Sequence, residues 1–363
     1  MTEPDSVSTR LQASIDQAID AAGGWLPFDR FMSMALYEPG VGYYSRADRQ
    51  FGAFSESGSD FITAPELSPL FGRCVALQVQ QALQASQTDT VVEFGAGTGA
   101  LAADLLESLG ERVRHYWIVD LSGALRRRQA ERLAGFGAKV RWLSSWPDGL
   151  EAVVLGNEVL DAMPVKLLAW DGRCWLERGV VRQIDGLGWH DAPTTLRPPH
   201  EADCVPGTVT EIHPQAEAFI SSLAQRLRRG AAFFFDYGFP AAEYYHPQRT
   251  GGTLMCHRAH RADMNPLLEP GSKDITVHVN FSGIAQAGQD AGLDVIGYAS
   301  QGRFLLNCGL PALMQAASLR RRAAAQMLVA EHEMGELFKV IGFAAGCRFD
   351  PVGFSAGDRT HML

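Results

Sequence analysis

The apolar positions first repeat at helical spacing and then settle into an alternation of strand and helix. Leu11, Ile15, Ala18, Ile19 and Ala22 lie on one helical face and stop at Gly23-Gly24, which predicts an opening amphipathic helix. A second helix is expected over 28–36 and a third over 68–85, with a Gly-, Ser- and aromatic-rich loop from Tyr37 to Ser59 between them. Apolar strand-like runs then follow at 90–94, 115–120, 139–143 and 152–157, separated by helical runs at 101–109 and 125–133. That order predicts an α/β fold with a mostly parallel, doubly wound sheet.

After Pro164 the rhythm breaks. Short runs at 166–170, 173–177 and 180–184, joined by tight turns such as Asp171-Gly172, predict an antiparallel insert. A helix at 215–228 and a strong strand at 231–236 restore the alternation, and a second polar insert spans 238–274. A helix at 281–292, a strand at 294–300 and a helical C-terminal part ending in Gly/Phe-rich loops complete the chain. The expected division is an N-terminal helical region and lid (1–86), a core (87–164, 207–237 and 275–363), and inserts (165–206 and 238–274) that form a substrate-binding subdomain.

With 363 residues, 46% of them hydrophobic, the chain can bury a large core in one elaborated domain or two. Its net charge of -9 argues against a general nucleic-acid binder. The runs Arg126-Arg127-Arg128 and Arg320-Arg321-Arg322 read as solvated helix faces. Six scattered cysteines with no C-x-x-C pair suggest reduced thiols rather than a zinc site or a disulfide framework. Glu3, Asp5 and Asp16 interrupt the N-terminus, and no stretch is long and apolar enough to cross a bilayer. The expected setting is the cytoplasm, without membrane insertion.

The richest chemistry follows the strand at 90–94. Glu93-Phe94-Gly95-Ala96-Gly97-Thr98-Gly99 is a glycine-rich turn that opens a helix, where backbone approaches a ligand without a Cβ in the way and unpaired N–H groups face it. Gly95, Gly97 and Ala100 fit a dinucleotide fingerprint, and the extra Gly99 suits the turn of S-adenosylmethionine-dependent methyltransferases. Asp120 ends the next strand, about 20 residues on, where a carboxylate can accept bonds from ribose hydroxyls of either cofactor. Glu93, in a strand otherwise buried, orders the turn or the amino-acid end of a cofactor.

Asn157, Glu158 and Asp161 follow a third apolar strand and supply an amide and two carboxyls for a cationic substrate, a general base or a metal; the alternative is a simple helix cap. Asp236 and Tyr237 end the next strand and are expected in the substrate pocket. His257, His260, Asp274 and His278 lack any standard ligand spacing, so no metal is expected. The absence of a G-x-S-x-G elbow leaves hydrolase readings weak.

Taken together, these segments resemble the MidA family of class I methyltransferases. The resemblance is carried by Met34-Ala35-Leu36-Tyr37-Glu38-Pro39 with Gly42-Tyr43-Tyr44, by Asp60-Phe61-Ile62-Thr63-Ala64-Pro65-Glu66, by the glycine turn, and by Gly156-Asn157-Glu158 with Asp161-Ala162 and Pro164. Glu211-Ile212, Asp236-Tyr237-Gly238, Gly252-Thr253-Leu254 and Asp274 to Val279 extend it over most of the chain. Asp120 stands where the family pattern leads one to expect glutamate, and the loop from Arg46 to Gly58 is longer than usual.

The resemblance implies a Rossmann-like fold and S-adenosylmethionine as cofactor, leaving S-adenosylhomocysteine, with Gly95, Gly97 and Asp120 as contacts and Thr63 and Glu66 in the pocket wall. It also implies a protein substrate, with an arginine of a respiratory complex I subunit homologue as a candidate acceptor. Glu158 and Asp161 would then grip the guanidinium and take its proton. A non-catalytic, cofactor-binding assembly factor and an NAD-dependent oxidoreductase are the competing readings.

Overall fold

The computed structural model describes residues 4–46, 62–200, 204–258 and 261–363. His260, the Asp60-Phe61 pair and most of the loop from Arg46 to Gly58 lie outside the described residues.

Seven strands build the central sheet: β1 (Thr90–Phe94), β2 (His115–Val119), β3 (Val140–Leu143), β4 (Leu150–Asn157), β5 (Leu227–Phe239), β6 (Asp294–Ser300) and β7 (Phe338–Ala345). Their order is β3-β2-β1-β4-β5-β7-β6, and Val279–Asn280 adds a short parallel pairing at the end of β5. The strands from β3 to β5 are parallel, whereas β7 runs antiparallel between β5 and β6. Chain order reverses between β1 and β4. In an open α/β sheet that switch point leaves a crevice at the carboxyl ends of the strands.

Strand β7 corrects the expectation of a helical and loop-like C-terminal end. Its eight residues are all buried, so the alternation of apolar and polar positions that marks a half-exposed strand is absent. Gly342 resembles a loop residue but is a packing requirement, because a Cβ there would stand 2.8 Å from the Phe354 ring.

The run Phe233-Phe234-Phe235 in β5 shows how the sheet acquires two cores. Phe233 and Phe235 face one side, where Phe235 meets Phe71 and Phe304 edge-on at 5.3 and 5.2 Å between ring centroids. Phe234 faces the other side with Ile220 and Ile284. Each phenyl ring is removed from water, worth about 1.5–3 kcal/mol apiece.

Packing draws boundaries different from those expected. The helix Pro69–Ser86, assigned with the N-terminal region, packs on the central sheet and on helix Ala100–Leu109. Leu11, Ile15, Phe28, Phe31 and Leu36 from the N-terminal helices instead share a third core with Leu167, Val180, Leu254 and Ile275 from the inserts. The first insert is an antiparallel sheet of Lys166–Trp170, Trp175–Gln183 and Gly186–Pro193, and it takes in Leu26–Pro27 and Val209–Ile212 from outside its expected limits. N-terminal region and inserts therefore form one packed body beside the central sheet.

Candidate active site

A cleft of about 1060 Å³ opens at the carboxyl ends of β1, β2, β4 and β5, with the N-terminal segment and second insert closing its far side. Its volume is at the upper end for small-molecule sites, with room for a cofactor and a second group.

The glycine turn forms one wall. Gly95, Gly97 and Gly99 have φ of +62°, +55° and +83°, left-handed values that a side chain resists. A Cβ at Gly95 would press on Val159 at 3.1 Å, but one at Gly97 would meet nothing within 4 Å. Gly97 thus keeps open space beside the backbone. Beneath the turn, the Tyr116 hydroxyl donates to Glu93 at 2.6 Å, and burial pushes the Glu93 carboxyl up to about 7 despite that bond.

Asp120 lines the next part of the wall with both carboxylate oxygens engaged, one accepting from the Ser122 N–H and the other from the Gln129 amide, each at 2.8 Å. Burial raises its pKa, and these two bonds oppose the rise. A carboxylate has about four acceptor positions, so each oxygen retains capacity for a ligand hydroxyl. Thr63 and Glu66 also line the cleft. Glu66 pairs with Arg132 at 2.8 Å and accepts from the Thr98 hydroxyl, so the short helix Ala64–Leu67 is clasped to the glycine turn. The Arg132 side chain is 41% exposed, so the pair contributes orientation more than stability.

Beside the turn, at the end of the neighbouring strand β4, stands a group of acids. Glu158 has φ +54°, with its N–H bonded to Phe235 O at 2.8 Å. Burial first, then the neighbouring Asp161, raises its carboxyl to about 8, against bonds from the Asn157 amide and the Ala64 backbone. Burial likewise raises Asp161 to about 6, although one of its oxygens accepts the Tyr237 hydroxyl at 2.6 Å. Asn157 Oδ1 and Asp161 Oδ1 are buried without a hydrogen-bond partner. Two unsatisfied acceptors on one wall are costly unless a ligand supplies donors.

Asp236 requires a correction. Expected in the substrate pocket, it is absent from the cleft lining and lies beneath it. One oxygen accepts from the backbone N–H groups of Val159, Leu160 and Asp161 at 3.2, 2.9 and 3.3 Å, and the other from the Tyr237 N–H at 3.1 Å. It holds the loop that carries the acids. Tyr237, in contrast, lines the cleft.

The far end holds residues whose part sequence reasoning missed. Tyr37 and Tyr44 stack at 5.6 Å, and their hydroxyls donate to Ala162 O and the Asp274 carboxylate, both at 2.8 Å. Asp274, His257 and His278 line the same end. Burial depresses His278 to about 4, so it is neutral near pH 7. The signal was present in the Tyr-Tyr and Asp274 motifs, but only the fold brings segments over 200 residues apart together. Among the described residues no cluster of three or more His, Cys, Asp or Glu side chains is arranged to hold a metal.

The strand order, the glycine turn and an acid ending β2 define a class I, S-adenosylmethionine-dependent methyltransferase. Residues 74–299 match the model of a family described as S-adenosyl-L-methionine-dependent methyltransferases, and the chain belongs to that family. It is similar, at 49% identity and TM-score 0.96, to a COG1565 superfamily member from Burkholderia thailandensis bound to S-adenosyl-homocysteine; the match covers 100% of this chain and 99% of that one. The mitochondrial protein arginine methyltransferase NDUFAF7 homolog of Drosophila melanogaster is 28% identical over 96% of this chain and 89% of its own. Human NDUFAF7, likewise named a mitochondrial protein arginine methyltransferase, is 28% identical over 77% of this chain and 69% of its own. The cofactor is therefore S-adenosylmethionine rather than a dinucleotide, and the chain is an enzyme.

The residues present fit that cofactor, since Gly97 leaves a clear approach and the carboxyls suit its positive charge. Replacing Gly97 with Val should abolish calorimetric binding of S-adenosylhomocysteine, because a β-branched side chain both fills the open space beside the turn and opposes its left-handed backbone, while the circular dichroism spectrum is retained because no neighbour lies within 4 Å of the added Cβ. Undiminished affinity would move the cofactor away from this turn.

Burial of Glu158 also has a stability consequence. Its folded pKa, about 8, exceeds the unfolded value, so its contribution to stability is fully present below about pH 4.5 and is lost as pH rises through about 8. A Glu158→Gln variant should accordingly melt a few degrees above the wild type at pH 8 and level with it at pH 5. Equal melting temperatures at both pH values would mean that the carboxyl is not perturbed.

Proposed function

We propose that this methyltransferase acts on the guanidinium of an arginine in a partner protein. The acids beyond the cofactor end carry the reading: Glu158, Asp161 and Asp274 line that part of the cleft, with no lysine or arginine among the described lining residues. A cationic acceptor suits such a wall, and the relatives named as protein arginine methyltransferases support the choice of cation. A guanidinium presents five N–H donors in a planar fork and so can serve both unpartnered oxygens, Asn157 Oδ1 and Asp161 Oδ1, where an ammonium offers three.

When bound, the cofactor supplies an electrophilic methyl carbon; this chain supplies orientation and a proton acceptor. The guanidinium enters protonated, since its pKa exceeds about 12, and must release a proton as its nitrogen is methylated. Asp161, steadied by Tyr237, orients the group through its open oxygen. Glu158 takes the proton at a carboxylate oxygen. A carboxyl raised to about 8 by burial is a stronger base than a surface glutamate, although an arriving cation lowers that value.

Transfer of labelled methyl groups to protein fractions, followed by mass spectrometry, should place the label on arginine, with complex I subunits as the first proteins to assay. Label on another residue or on a small molecule would overturn the reading. For an arginine acceptor, kcat/KM should rise with pH between about 6 and 8 as Asp161 and then Glu158 lose their protons. Glu158→Gln should leave cofactor affinity unchanged and lower kcat by about 100-fold or more. Wild-type turnover in that variant would remove Glu158 from the chemistry.

A further inference from the structure

Helix Gly123–Arg132 contains a fully buried amide, Gln129, in an otherwise basic and polar sequence. Its Nε2 donates to Gly97 O at 2.9 Å and to the Asp120 carboxylate at 2.8 Å, and its Oε1 accepts from Trp142 Nε1 at 2.8 Å. The three partners fix the orientation of the amide, because indole N–H can only donate and the carbonyl and carboxylate can only accept. A Cβ on Gly99 would also sit 3.6 Å from Gln129 Cα, so the helix backbone rests on the glycine turn at this residue.

We infer that Gln129 is a positioning residue that sets the spacing and orientation of the two halves of the cofactor site, the glycine turn and Asp120. It does not line the cleft. One hydrogen of its amide fixes the carbonyl of the middle glycine, the other fixes a carboxylate oxygen, and the Trp142 bond keeps the amide from rotating. Orientation also bears on charge, because the bond to Asp120 favours the ionised carboxylate that burial disfavours. The inference is independent of the acceptor and rests on the cofactor lying between this turn and Asp120.

Calorimetric binding of S-adenosylhomocysteine from pH 5 to 8 tests it, since this ligand lacks the sulfonium charge that an added carboxylate would attract. Gln129→Glu keeps the acceptor for Trp142 but replaces both donors, and places a second carboxyl against Asp120. Its affinity should fall at least tenfold at pH 8, with the deficit growing as pH rises and the pair acquires its second negative charge. Trp142→Phe, which frees the amide to rotate without adding charge, should weaken binding several-fold with little change in the wild-type pH profile. This second variant decides the matter if Gln129→Glu does not fold. Wild-type affinity and pH profile in a folded Gln129→Glu, or wild-type affinity in Trp142→Phe, would overturn the inference. An Asp120→Asn control separates the premise: unchanged affinity there would remove Asp120 from the site and overturn the inference at its base.

Discussion

The buried carboxylate of Asp236 is the constraint on which the catalytic side of this enzyme depends. It sits near the end of the longest strand and gathers three successive backbone N–H groups from the loop after β4. Those donors offset part of the cost of burying the group, although burial first, and then the neighbouring Asp161 and Glu158, still hold its carboxyl well above the usual range. In return it fixes the loop. Glu158 can hold a left-handed backbone, which costs about 1–3 kcal/mol, because the N–H groups on one side are tied to Asp236 and its own N–H to Phe235. The acids that face the cleft are aimed by an acid that does not.

The same arrangement loads the site with unfavourable charge. Asp161 and Glu158 act on Asp236, and Asp161 acts on Glu158, so burial first and mutual repulsion second favour protonated carboxyls in and beneath the cleft. A cation can do what those protons do. Its arrival lowers the carboxyl pKa values, restores charge balance and supplies donors to Asn157 Oδ1 and Asp161 Oδ1. For the cationic acceptor proposed above, part of the binding free energy is therefore already present as repulsion among these buried carboxyls.

How much of this was legible in the sequence depended on whether the cause was local. The turn from Glu93 to Gly99 was legible because its glycines are required by the turn itself, and Asp120 because its distance from that turn is set by one helix and one strand. Strand β7 was not, since burial on both faces erases alternation and leaves only composition. Asp236 was placed at the correct end of its strand but given the wrong neighbours: sequence locates a residue along a strand, whereas the loop that folds back over it is a tertiary event. Gln129 was hidden by its surroundings. Within Arg126-Arg127-Arg128-Gln129 it reads as part of a solvated face, and only the helix packing against the glycine turn buries that single position.

The two ends of the cleft also differ in how they are assembled. At the cofactor end, the turn, Asp120 and Glu93 sit on neighbouring parallel strands, so the sheet's own register fixes their spacing. The end proposed for the acceptor is composite: Tyr37 and Tyr44 come from the N-terminal region, Asp274 from the second insert, and Tyr237 from β5. Its geometry depends on how the shared core of Phe28, Phe31, Leu167 and Ile275 holds the N-terminal region and inserts together. A small shift of that body would move Tyr44 and Asp274 relative to Glu158 while leaving Gly97 and Asp120 in place. On the function proposed above, cofactor affinity follows the sheet and acceptor recognition follows the docking of a second body upon it, so the two properties can vary separately within one cleft.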